Sequence, residues 1–217
     1  VISFIFYAYE SSVSQHFEKE MSDRALFSEK LRSDSYLSDF FKNNLAQEKI
    51  DQFLDLWAPA IIKYKGIRKM YANVDGSNDD CDSTSSDMAE KGHSKSGKNK
   101  NIINVMYTVA PDGTPISFIQ YRGSIVDSVA MQWVIKYAEQ LNLKLQGFCI
   151  DRCFCSKEIA DYIKQADYGF VMMLTDNVDS YTDAVAEIGG NIRNNVEKWL
   201  FDNELFADTV EKPLFKK

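Results

Sequence analysis

Two apolar, β-prone runs in this chain stop at an aspartate: Met70-Tyr71-Ala72-Asn73-Val74-Asp75 and Leu145-Gln146-Gly147-Phe148-Cys149-Ile150-Asp151. A carboxylate at the C-terminal end of a buried strand is costly to desolvate unless something cationic meets it. Two such ends limit the folds available, because both acids have to open onto a solvated cleft. A shared metal ion or a catalytic task is the physical reason to keep them there.

The pattern between these runs supplies a route that brings them together. Residues 102–109 read as a strand, Pro111-Asp112-Gly113-Thr114 as a tight turn, and 115–121 as the antiparallel partner. From Asp127 to Leu141 a helical face recurs through Val129, Trp133, Val134, Tyr137, Ala138 and Leu141, which assigns Trp133 to packing. A strand follows over 144–150. Ser156 then caps a short helix through Gln165, with Glu158 in its first turn, and 168–174 forms another buried strand. If the strand of Asp75 heads the hairpin and the helix from Asp127 returns the chain beside it, the strand of Asp151 runs parallel to the first. Both acids then face one cleft at the strand ends, where open α/β sheets take their ligands.

Around this series lie two regions of different character. Upstream, apolar residues recur at helical spacing in Tyr36, Leu37, Phe40, Phe41 and Leu45, then in Ile50, Phe53, Leu54, Trp57 and Ile61, with Pro59 punctuating the second set. Between Asp79 and Lys100 almost nothing is apolar, and the charge changes sign halfway, from an acidic first half to Lys91, Lys95, Lys98 and Lys100. A polar segment this long inside a compact domain reads as a functional or mobile loop. Its basic half suits phosphates, although a solvated loop of this composition needs no ligand.

Composition excludes several classes. A chain of 217 residues with 45% hydrophobic content can bury a sizeable core. Its formal charge of -7, from 25 Lys+Arg and 32 Asp+Glu, argues against binding DNA through bulk positive charge, so any nucleic-acid contact is local. Four cysteines, three of them crowded at 149, 153 and 155, do not form a secreted disulfide framework, and a reducing cytoplasm is expected. The apolar run 1–9 is ended by Glu10, too short to span a membrane. A start without Met and an end without a capping signal are read as those of a piece of a longer protein.

In order along the chain, Asp75-Gly76-Ser77-Asn78, Gly92-His93-Ser94-Lys95, Asp112-Gly113-Thr114-Pro115, Tyr121-Arg122-Gly123-Ser124-Ile125-Val126-Asp127 and Ile150-Asp151-Arg152 resemble the catalytic core of prokaryotic insertion-sequence transposases of the DDE class. The resemblance covers about 70–174 and implies an α/β fold, a ribonuclease-H-like mixed sheet flanked by helices and preceded by an N-terminal helical region. It implies DNA transposition: hydrolysis at transposon ends dependent on Mg²⁺ or Mn²⁺, then attack of the freed 3′-hydroxyl on target DNA by a homodimer in the nucleoprotein complex. Asp75 and Asp151 take the positions of the first two catalytic, metal-binding aspartates. The organisation expected is 1–69 as the N-terminal helical region, 70–175 as the core with a mobile loop over 79–100, and 176–217 as the start of an insertion or C-terminal extension. The location expected is cytoplasmic, at the nucleoid, with no membrane partner.

The resemblance has departures. Cys153 stands where the family commonly has Gly, and Ser124 where it has Asn. The third acid has no counterpart here, since Glu187, Glu197 and Glu204 lack the Arg and Lys setting it normally has, which leaves a chain that holds metal poorly. Alternatives are a non-catalytic remnant that binds DNA or protein, and a metal-dependent nuclease of the same fold.

Other constellations are weaker. Cys149, Cys153, Cys155 and His93 lack the paired Cys-x-x-Cys of a zinc site, and the acids at 75, 79 and 82 lack the Gly and Glu of a calcium loop. Candidate DNA contacts are Lys91, His93, Lys95, Lys98, Lys100, Arg122 and Arg152, with pairing to nearby acids the competing role for the arginines. Capping at a helix N-terminus accounts for Asp127.

Overall fold

The protein is described from a computed structural model, which describes residues 34–66, 69–84, 86–141, 143 and 145–215. The apolar run 1–9 lies outside them. The chain divides into two compact units, Val1–Leu56 and Trp57–Lys217. In the first, helix α1 (Asp34–Asn43) is followed by the start of helix α2 (Gln47–Tyr64). The units divide inside α2. The physical reason is packing: Ala58, in the C-terminal half of α2, is fully buried in the core of the second unit, and Trp57 donates from Nε1 to the Pro115 carbonyl at 3.0 Å. Pro59 does not break this helix, which runs on to Tyr64. Pro59 is exposed while its neighbour Ala58 is buried, so packing holds the turn despite the hydrogen bond a proline cannot make.

The second unit is a mixed α/β layer. Its sheet contains β1 (Met70–Cys81), β2 (Glu90–Lys91), β3 (Asn101–Val109), β4 (Pro115–Arg122), β5 (Leu145–Ile150) and β6 (Gly169–Met172). Along the sheet the order is β2-β3-β1-β5-β6, with β4 also pairing β3. β1, β3 and β4 pair antiparallel, and β5 and β6 continue parallel to β1. The hairpin turn forms as its residues require: Gly113 adopts φ +84, where a side chain is strained, and Asp112 accepts from the Thr114 amide at 3.0 Å.

Helices α3 (Asp127–Gln140) and α4 (Lys157–Gln165) cover one sheet face. Ser156 caps α4, its Oγ accepting from the Ile159 amide at 3.2 Å. The buried stripe of α3 is Ala130, Met131, Val134, Ile135 and Ala138, meeting Ala72, Val74, Met106, Phe148 and Ile150 of the sheet in one core. This corrects the expected face, since Val129 and Trp133 are exposed. Trp133 still packs edge-on against Tyr121, with ring centroids 6.1 Å apart.

The polar segment expected as a loop over 79–100 is partly strand. β1 continues through Asp79 and Asp80 to Cys81, paired with β3 as far as Asn101, and Glu90 and Lys91 pair with Ile102 and Asn101. Beyond Leu174, helix α5 (Asp179–Ile188) and a short pairing of β7 (Trp199–Leu200) with β8 (Leu205–Phe206) follow. Among the described residues no helix is long and apolar enough to cross a membrane.

Candidate functional site

Asp75 is not at the end of its strand, as the apolar pattern suggests, but at the end of one of its two pairings. β1 and β5 pair in parallel up to Val74 and Ile150, so Asp75 and Asp151 are the next residue on each of two neighbouring strands. Burial alternates along β1: Met70, Ala72, Val74 and Gly76 are buried, Asn73 and Asp75 exposed. Asp75 is therefore on the face opposite the helices. Asp151 keeps an extended backbone (φ -74, ψ 168) before the chain turns into the 3-10 segment Arg152–Phe154, anchored by the fully buried Phe154. The Asp151 carboxylate accepts from the Arg152 amide at 2.6 Å.

A third carboxylate joins from the other face. Asp127 is the first residue of α3, but the N-cap is Val126 and no side chain caps the helix, so capping does not account for this acid. Its carboxylate accepts a short hydrogen bond from the Tyr121 hydroxyl and lies against the backbone of Gly76, where an added Cβ would collide with it. Glycine after Asp75 is thus what lets Asp127 approach β1. Burial, then the bond to Asp127, pushes the Tyr121 hydroxyl far above its ordinary range and keeps it a donor.

All three acids act on one neighbour. The Cys153 thiol is pushed up to about 11, first by desolvation of the sulfur and then by the charges of Asp151, Asp127 and Asp75, in that order. Cys153, in the place where the resemblance has Gly, is therefore held as a neutral thiol among carboxylates. None of the ion pairs among the described residues involves Asp75, Asp127 or Asp151. No family model and no curated protein matches this chain.

Two clefts meet at Cys153. One, of about 480 Å³, is lined by Asn78, His93, Lys95, Ser124, Asp127 and Cys153, among others. The second, of about 520 Å³, is lined by Asp151, Arg152, Cys153, Thr175, Asp176 and Tyr181, among others. The candidate basic residues divide accordingly. His93 and Lys95 reach the first cleft and Arg152 the second, whereas Lys91, Lys100 and Arg122 have partners elsewhere. Lys91 donates to the backbone carbonyl and the side chain of Asn99 at 2.8 and 3.0 Å, Lys100 pairs with Asp82 at 2.6 Å, and Arg122 with Glu90 at 3.3 Å. Lys98 is exposed, and its charge helps hold the Asp80 carboxyl below its usual range, after the hydrogen bonds from Ser96 and Ser94. The change of charge sign along this segment is thus largely self-compensating.

Two asparagines build the first cleft. Asn78 donates from Nδ2 to the His93 carbonyl and accepts at Oδ1 from the Lys95 amide, both at 3.0 Å, and the Lys95 ammonium donates to the Gly76 carbonyl. Buried Asn104 donates to the carbonyls of Arg122, Gly123 and Ile125 at 3.2, 3.3 and 3.0 Å, which shapes the turn into α3. A polar amide within the apolar run Ile102-Ile103-Asn104-Val105-Met106 was the available signal, since a buried amide has to be satisfied.

Proposed function

We propose that this unit is the core of a metal-dependent DNA-cleaving and strand-transferring enzyme, a transposase of the DDE class with a ribonuclease-H-like sheet. The observation that carries this reading is the register of Asp75 and Asp151, one residue past the Val74–Ile150 pair on parallel neighbours. The antiparallel hairpin leaving β1 and the helical return to a parallel strand support it, as does the ordered set of motifs in which the two aspartates lie.

The donors fit a hard divalent cation. Carboxylate oxygens on Asp75 and Asp151 suit Mg²⁺ or Mn²⁺, and neither side chain has a cationic partner among the described residues. Among those residues no group of three or more His, Cys, Asp and Glu stands together in a metal-holding arrangement, so the pair is assigned as two ligands only. An ion held by Asp75 and Asp151 would supply positive charge at a reacting phosphate. The protein's own part is to hold the carboxylates. β1 and β5 fix their spacing, the Phe154 anchor fixes the turn after Asp151, and Asp127, held by Tyr121, adds charge behind Gly76.

The test is nicking of DNA bearing the sequences that flank the coding region, in Mg²⁺ or Mn²⁺. Asp75→Asn and Asp151→Asn should each lower the rate by about 100-fold or more while the protein stays folded. Nicking at the wild-type rate by either variant refutes the assignment.

A further inference from the structure

We infer that β6 is the surface through which two copies of this chain join, edge to edge and antiparallel, with the two-fold axis at Met172. The contact goes beyond the proposed function and needs neither DNA nor metal. β6 ends the sheet: β5 pairs with one side of it, and among the described residues no strand pairs with the other. The Met173 amide donates to the Ile150 carbonyl at 3.3 Å, so the backbone groups of Phe170 and Met172, which alternate with it along the strand, point outward from the sheet. Such a row of amides and carbonyls is a template for another strand.

The run itself favours a second copy as the occupant. From Tyr168 to Thr175 it holds no charged residue and no proline, the usual guards of a sheet edge. β4, by contrast, opens on Pro115 and closes on Arg122, which is paired with Glu90. Phe170 and Met172 pack against the core, whereas Val171 and Met173 are 59% and 60% exposed. Val171 pairs with Cys149, and Cys149 with Asn73, which puts Val171 on the open face of the sheet with Asp75. With the axis at Met172, that residue exchanges both backbone hydrogen bonds with the partner's Met172, and Val171 falls opposite the partner's Met173 as a close pair. Symmetry repeats the pair, so all four exposed side chains gain an apolar neighbour. No charge is left facing the seam on either copy.

The test is sedimentation velocity of the whole protein over a concentration series, in EDTA and without DNA, which keeps it separate from the nicking result for Asp75 and Asp151. The wild type should show a monomer–dimer equilibrium, and because each copy carries a formal charge of -7, the dimer should tighten as salt rises. Val171→Lys and Met173→Glu should each raise the dissociation constant about tenfold or more, since each sets a charge against an apolar side chain of the partner. The double variant sets opposite charges against each other twice and should return to within about threefold of the wild type. That recovery also shows that the single variants lose the contact and not the fold. Val129→Lys, at an exposed position of α3, is the control and should leave the dissociation constant unchanged. A wild type that stays monomeric throughout the series would overturn the inference, as would a dimer that neither single change weakens. A double variant no stronger than the single ones would overturn the register at Met172.

Discussion

Asp75 and Asp151 lie side by side across two parallel strands, one residue beyond the last pair, Val74 with Ile150, and neither is in an ion pair among the described residues. Two neighbouring carboxylates without a counter-ion repel one another, and a divalent ion bound by the folded state relieves this. Millimolar Mn²⁺ should therefore raise the melting temperature of the wild type. Asp75→Asn should melt higher than the wild type in EDTA at low salt and lose most of the Mn²⁺ response. Thermal denaturation followed by circular dichroism measures both, and an equal Mn²⁺ shift in the two proteins would count against the pair as the binding site.

Gly76 and Tyr121 both serve Asp127. Gly76→Ala drives a methyl group into the Asp127 carboxylate, and overpacking of this kind costs about 1–3 kcal/mol. Tyr121→Phe removes the hydroxyl that Asp127 accepts from, at about 1–2 kcal/mol. Since both changes act on the same side chain, the double variant should be less destabilised than the sum of the two, which a urea-unfolding cycle reads directly.

Asn104 holds three carbonyls of the turn leading into α3. Asn104→Ala takes this donor from the Gly123 and Ile125 carbonyls, while the Arg122 carbonyl keeps the Ile125 amide at 3.0 Å, and the expected loss is about 1–3 kcal/mol in urea unfolding. Faster hydrogen exchange should appear in the segment around 122–128 before it appears in β5, because the turn loses its anchor while the β1–β5 pairing is untouched.

The hairpin turn carries an acid whose titration is displaced. Hydrogen bonds from Thr114, then the bond from Lys65, lower the Asp112 carboxyl from 3.8 to about 2. A depressed folded-state value means that the charged form is favoured in the native protein. Its contribution is complete above the unfolded value of 3.8 and is lost as the pH falls through about 2. Carbon-detected NMR should place the Asp112 midpoint near 2, and Lys65→Met should move it upward. A midpoint at the ordinary aspartate value would remove the Lys65–Asp112 pair, 3.0 Å in length, from the account of the turn.

Much of the second unit was legible because its signals are local. The Asp112-Gly113 turn, the Ser156 cap and the order strand, hairpin, helix, strand, helix, strand follow from turn chemistry, capping and periodicity, each of which acts within a few residues. The chain's run past Asp75 was not legible in this way. Polar residues 77–80 resemble loop, and they are strand because β3 supplies a second edge for pairing after β5 has ended. The phase of α3 was also ambiguous. Val129 and Trp133 lie at helical spacing as Ala130 and Val134 do, and only the sheet beneath determined which set was buried.

By itself, the sequence determined which segments become strands and helices and which acids end apolar runs, because backbone propensity, capping and turn residues depend on near neighbours. Tertiary structure alone decided that Asp127 turns to Tyr121 and Gly76 instead of capping its helix, that Asn78 clasps the Lys95 backbone, and that two clefts meet at Cys153. The contacts of Asp127 with Gly76 and of Asn78 with Lys95 join residues well separated in the chain, and their free energy exists only once the sheet has brought its strands into register.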